Sequence, residues 1–128
     1  MDTSKPRILY VEDDLMAKTL VVKYLNNRYE IHCASNTREA LNKAIENNYD
    51  AFLIDIGLPT SNGMETTKQL KEIKNNINKP YIAVTAYAMP EYKEYFLSEG
   101  LTHYISKPYE PKDLIKLIDE ALGIEPEA

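Results

Sequence analysis

Short apolar runs alternate along this chain with longer stretches of helical period, and that alternation leaves few folds open. Ile8-Leu9-Tyr10-Val11 and Ala51-Phe52-Leu53-Ile54 are apolar at every position. A run with no in–out alternation is buried on both faces, as strands inside a parallel sheet are. Residues 7–11, 30–34, 51–55, 81–85 and 103–105 read as five strands, the second weaker and the fifth short. Between them lie segments with apolar residues at helical spacing. Five such units joined by short connections predict an open, doubly wound parallel α/β sheet with helices on both faces.

The helical segments have defined stripes and stops. Residues 15–26 carry Met16, Leu20, Val21, Tyr24 and Leu25, and Asn26-Asn27 ends the pattern. Thr37 is placed to cap a second helix whose buried stripe is Ala40, Leu41, Ala44 and Ile45. A third helix is predicted over 64–76, with Met64 as packing. A fourth runs over 91–99, with Pro90 in its first turn and Gly100 at its end. Pro111 opens the last, whose stripe is Leu114, Leu117, Ile118 and Ala121; Gly123 stops it, and 125–128 read as a frayed tail. At 128 residues, with no linker or repeat, the chain is expected to be one domain with a core over about 7–122.

The strand ends carry the chemistry. Glu12 and Asp13 follow the first strand and Asp55 ends the third. These positions fall on the carboxyl edge of a parallel sheet, where open α/β folds place their sites. Clustered carboxylates raise one another's pKa, and a divalent cation relieves that conflict. Oxygen donors select a hard ion, Mg²⁺ or a close relative. Asp14 alone reads as an acid favoured at a helix start. Thr85 ends the fourth strand, and Lys107-Pro108 follows the fifth. Three acids, a hydroxyl and an ammonium on one edge suit a phosphoryl group with Mg²⁺.

Composition removes other classes. A net charge of −5 argues against direct nucleic-acid binding, which needs Lys and Arg on phosphates. The single cysteine, Cys33, allows no internal disulfide and fits a reducing compartment; in its strand it reads as a buried structural thiol. No apolar run reaches membrane-spanning length, and residues 1–6 have no hydrophobic signal core, so no membrane insertion and a cytoplasmic location are expected. His32 and His103 show no metal spacing and read as structural or surface residues. Tyr is used ten times against two Phe and no Trp.

The set Ile-Leu-Tyr-Val-Glu12-Asp13, Leu-Ile-Asp55-Ile-Gly-Leu-Pro59 with Gly63, Val-Thr85-Ala86 and Tyr104-Ile-Ser-Lys107-Pro108 resembles the receiver domain of two-component response regulators, of the single-domain, chemotaxis-regulator kind. The resemblance spans nearly the whole chain. It implies a flavodoxin-like fold, strand order 2-1-3-4-5. It implies that Asp55 is the phosphoacceptor, receiving a phosphoryl group from a sensor histidine kinase or a histidine phosphotransfer protein. Asp13 is then a direct Mg²⁺ ligand, Glu12 a second ligand or one acting through water, and the Gly57 carbonyl another; Mn²⁺ is an admissible substitute. Lys107, the Thr85 hydroxyl and the Ala86 backbone amide balance the phosphoryl oxygens. The Lys107-Pro108 bond is expected cis. Thr85 and Tyr104 form the switch that reshapes the face of helix four, strand five and helix five for a downstream protein target. Such a protein catalyses its own phosphorylation and slow dephosphorylation without being a conventional turnover enzyme.

Finer expectations follow from this chain's own residues. Tyr87, Tyr92, Tyr95 and Tyr109 fall near that output face and suit a partner surface. Gly57 has no side chain to orient water and Tyr87 is bulky enough to shield the phosphoryl group, so self-dephosphorylation should be slow. The segment Thr85-Ala-Tyr-Ala-Met89 is similar to receivers joined to hybrid sensor kinases, whereas Met1 and the short lead before residue 7 favour a stand-alone receiver. The alternative function is a degenerate receiver acting as a phosphorylation-independent scaffold, against which the intact residue set argues. A flavin electron carrier of the same topology would want a Ser/Thr/Gly phosphate loop where Glu12-Asp13-Asp14 stands. A Mg²⁺ phosphohydrolase with an Asp nucleophile would want an acid where Gly57 stands.

Overall fold

The computed structural model describes residues 5–57, 63–86 and 89–124. Strands β1 (Arg7–Val11), β2 (Glu30–Ala34), β3 (Ala51–Ile56), β4 (Tyr81–Thr85) and β5 (His103–Ser106) form one sheet in the order β2-β1-β3-β4-β5. Every pairing is parallel. The helices are α1 (Leu15–Leu25), α2 (Thr37–Glu46), α3 (Gly63–Lys71), α4 (Pro90–Ser98) and α5 (Pro111–Leu122).

Because successive side chains on a strand point to opposite faces, each central strand feeds two cores. Leu9, Phe52, Ile54, Tyr81 and Ala83 pack with Ala40 and Ala44 of α2, Met64 and Leu70 of α3 and Phe96 of α4. Ile8, Tyr10, Leu53 and Ile82 pack with Val21 and Leu25 of α1 and Leu114 and Ile118 of α5. This is the doubly wound arrangement, with α1 and α5 on one face and α2, α3 and α4 on the other. The tyrosines are largely an internal solution. Tyr10, Tyr29, Tyr49 and Tyr81 are among the largest fully buried side chains. Their hydroxyls bond Glu12, Asp119, His32 and the Asn76 carbonyl, which meets the need of a buried phenol for a partner.

Several local expectations are corrected. In α1 only Val21 and Leu25 are buried; Met16 is 72% exposed, Leu20 41% and Tyr24 39%. The sheet is met by Val21 and Leu25, one turn apart, and residues 16, 20 and 24 sit one position earlier, rotated by about 100° toward solvent. Ile45 of α2 is likewise exposed. Asn36, not Thr37, caps α2, its side chain accepting the Glu39 N–H at 2.9 Å. The Thr37 hydroxyl bonds Thr66 of α3 instead. Helix α3 stops at Lys71, short of residue 76: Lys74 takes a positive φ of 51°, and a 3₁₀ turn at Asn76–Asn78 follows. Cys33 is half-buried against the α1/α5 core.

Gly63 opens α3 in close contact with β3. A Cβ there would lie 2.9 Å from Ile56 Cγ1 and 3.4 Å from Ile54 Cγ2. Both isoleucines are fully buried and cannot swing away. Gly63→Ala should therefore destabilise by about 1–2 kcal/mol, overpacking outweighing the gain in helix propensity. Urea unfolding checks this; equal or higher stability would show that α3 can shift outward freely.

Candidate functional site

Parallel register brings the chemical groups to one rim. Val11 pairs with Ile54 and with Ala34, so Glu12 and Asp55 follow side by side. Ile56 pairs with Thr85, and Thr85 with Ser106, the residue before Lys107. The Lys107 N–H donates to the Thr85 carbonyl at 2.7 Å and extends the ladder one residue beyond β5. The Glu12 N–H does the same toward Ala34 at 2.9 Å. The Lys107–Pro108 peptide is cis.

Lys107 Nζ donates to Asp55 Oδ1 in a close ion pair and stands 3.9 Å from Glu12 Oε1. The Glu12 side chain is 3% exposed, the Asp55 side chain 16%. Glu12 also accepts the Asp14 N–H on Oε2 at 3.1 Å and the Tyr10 hydroxyl on Oε1 at 3.2 Å. Its carboxyl is held above the ordinary range, first by burial and then by the nearby Asp55 charge, while the Asp14 N–H and Lys107 pull the other way. Burial beside Glu12 also pushes the Tyr10 phenol far up, so its hydroxyl remains a donor. Asp14 caps α1 by accepting the Ala17 N–H at 2.8 Å.

A cavity of about 400 Å³ opens at this rim, lined by Glu12, Asp13, Asp55 and Gly57 together with Ser35, Asn36, Thr37 and Thr66. Asp13 and Gly57 are exposed. The available donors are oxygens, which suits a hard cation. Among the described residues no three acidic, His or Cys side chains are gathered into a ready cage for an ion. A Mg²⁺ ion here would therefore keep several waters, as this ion prefers. Glu12, Asp13, Asp55 and the Gly57 carbonyl fit that role as a partial oxygen set.

Thr85 is fully buried at the end of β4, and Ala86 beyond it is exposed. Tyr104 on β5 is half-buried against the α2/α3/α4 core, its ring 6.1 Å from that of Phe96. The tyrosines assigned to a partner face separate. Tyr95 is 42% exposed, Tyr92 is half-buried against the core beneath α4, and Tyr109 packs against the α1/α5 core. Tyr87 and Pro59 lie outside the described residues.

Sequence reasoning missed the Tyr10 hydroxyl and the polar wall from Ser35 to Thr37. Both carried a signal. Tyr10 and Glu12 are two apart on one strand and share a face, and residues 35–37 follow β2 on the same sheet edge.

Comparison with known proteins agrees with this geometry. The family model described as response regulator receiver domain matches residues 8–119. A hybrid signal transduction histidine kinase I of Dictyostelium discoideum is 37% identical over 88% of this chain, which spans 7% of that protein. The chain also covers only about half of two regulatory relatives, 53% and 46%. Chemotaxis protein CheY4 of Vibrio cholerae superposes with a TM-score of 0.85 at 28% identity, covering 93% of this chain and 100% of that one. The receiver domain of sensor histidine kinase PA1611 from Pseudomonas aeruginosa, whose structure has magnesium coordinated in the active site cleft, gives 0.82 at 28% identity over 94% and 99% of the two chains. No helix among the described residues is long and apolar enough to cross a membrane.

Proposed function

The chain belongs to the response regulator receiver domain family, and on that premise we propose that it takes a phosphoryl group from a phosphohistidine donor onto Asp55 in a Mg²⁺-dependent reaction. The observation that carries this is the Asp55–Lys107 ion pair on the sheet rim, beside Glu12 and in one cavity with Asp13.

An Asp55 carboxylate oxygen attacks phosphorus in line. The bond from phosphorus to the donor's imidazole nitrogen breaks, and its electron pair stays with the ring. When bound, Mg²⁺ held by Glu12, Asp13, Asp55 and the Gly57 carbonyl supplies positive charge to the phosphoryl oxygens. Lys107 exchanges its contact with Asp55 for one with a phosphoryl oxygen. The Thr85 hydroxyl and the Ala86 amide serve the remaining oxygens. Movement of Thr85 toward the new group vacates room for the half-buried Tyr104 to turn inward, and the face of α4, β5 and α5 shifts between two packings that a downstream protein can distinguish.

The donor is a sensor histidine kinase or a histidine phosphotransfer protein, acting in the cytoplasm. Leu15 and Met16, exposed in the first turn of α1 directly after Glu12-Asp13-Asp14, offer such a donor an apolar foothold. We read the core over about 7–122 as one receiver unit.

The test is incubation with acetyl phosphate, with Mg²⁺ and with chelator, followed by intact-mass measurement. The mass of one phosphoryl group should be gained with metal and not gained with chelator. No gain in either condition favours a scaffold that works without phosphorylation.

A further inference from the structure

Glu12 is a nearly fully buried carboxylate, and such a group adopts one orientation only if donors hold it. Its Oε2 is fixed by a backbone N–H, that of Asp14. Its Oε1 takes the Tyr10 hydroxyl at 3.2 Å, while Lys107 Nζ, at 3.9 Å from the same oxygen, is beyond hydrogen-bond reach and engaged with Asp55. Tyr10 is itself 1% exposed, seated between Cys33 on β2 and Leu53 on β3 and packed in the α1/α5 core. It therefore cannot follow a wandering carboxylate. Strand geometry completes the device: residues 10 and 12 share a face, so a rigid ring in the core reaches up the strand to a carboxylate that lines the cavity.

We infer that Tyr10 is a positioning residue that clamps Glu12 in the orientation needed for the cation. This rests on the Mg²⁺ site of the proposed function and adds a residue to it. Tyr10 touches neither phosphoryl group nor metal. Its effect passes through Oε1 of Glu12, which without the hydroxyl is free to turn toward Lys107 and away from the cavity. Loosening of this kind beneath a site weakens ligation without removing a ligand.

The test is Mg²⁺ titration by calorimetry of four chains: wild type, Tyr10→Phe, Glu12→Ala and the double variant. Tyr10→Phe removes one oxygen and leaves the ring in place. It should raise the Mg²⁺ dissociation constant about tenfold, as the loss of a partner that orients a metal ligand does. In the Glu12→Ala background the same change should leave Mg²⁺ affinity where it was, because the route through Glu12 is gone. An equal loss in both backgrounds would make Tyr10 a general packing residue and overturn the inference, as would an unchanged affinity in Tyr10→Phe alone. Failure of the wild type to bind Mg²⁺ would remove the metal site itself, and the clamp with it.

Discussion

Asp55→Asn should gain no phosphoryl mass from acetyl phosphate under conditions that label the wild type completely. The substitution keeps shape and volume but replaces the anionic nucleophile with an amide, which does not form an acyl phosphate. It also takes away the anion against which Lys107 Nζ is held. The stability cost is small, about 1 kcal/mol, because the pair is partly exposed, with side chains 16% and 37% accessible, and water screens it. Loss of labelling therefore cannot be put down to unfolding, and a thermal melt on the same sample checks that directly. Labelling of Asp55→Asn at the wild-type rate would move the acceptor elsewhere. Asp13, exposed on the same cavity, would be the first residue to examine.

Such a substitution could be chosen before any coordinates because the decisive residues interrupt a strong pattern. β1 and β3 are apolar on both faces, and an acid in such a run has to stand where the strand leaves the core. The threonine and the lysine were legible by their places on the same rim, Thr85 ending β4 and Lys107 following β5. The strand order and the right edge followed from the resemblance and from the alternation of elements. Legibility failed where two faces competed. α1 has apolar residues at 16, 20 and 24 and again at 21 and 25, and periodicity alone does not say which set meets the sheet. It failed at Asn36 and Thr37, adjacent residues that both favour caps, where a hydroxyl contact with Thr66 across to α3 decided the matter. It failed at Lys74, whose positive φ ends a helical stretch without glycine or proline to announce it. And it failed at Tyr10, because a tyrosine in an apolar run reads as bulk, while its function lies in a hydroxyl two residues from the acid it holds.

Lys107→Met tests the electrostatic core of the site by driving two measurements in opposite directions. In the wild type the ammonium is the cation that Asp55 contacts and the closest positive charge to the buried Glu12. Removing it leaves two neighbouring carboxylates without that charge, and repulsion between them raises the value of any other cation that enters. Mg²⁺ should then bind several-fold more tightly, since it no longer competes with Nζ for Asp55 nor is repelled by it. Phosphorylation from acetyl phosphate should nevertheless slow by about 10²–10³, the cost of deleting one preorganised partner of a phosphoryl oxygen. Without metal the variant should unfold at lower denaturant than the wild type, and added Mg²⁺ should restore the midpoint, because a cation bound only to the folded chain stabilises it by mass action. A damaged fold would lower affinity and rate together, and a lysine that merely shields the surface would change neither. Only a lysine that neutralises the acids at rest and the phosphoryl group in transfer raises one while lowering the other.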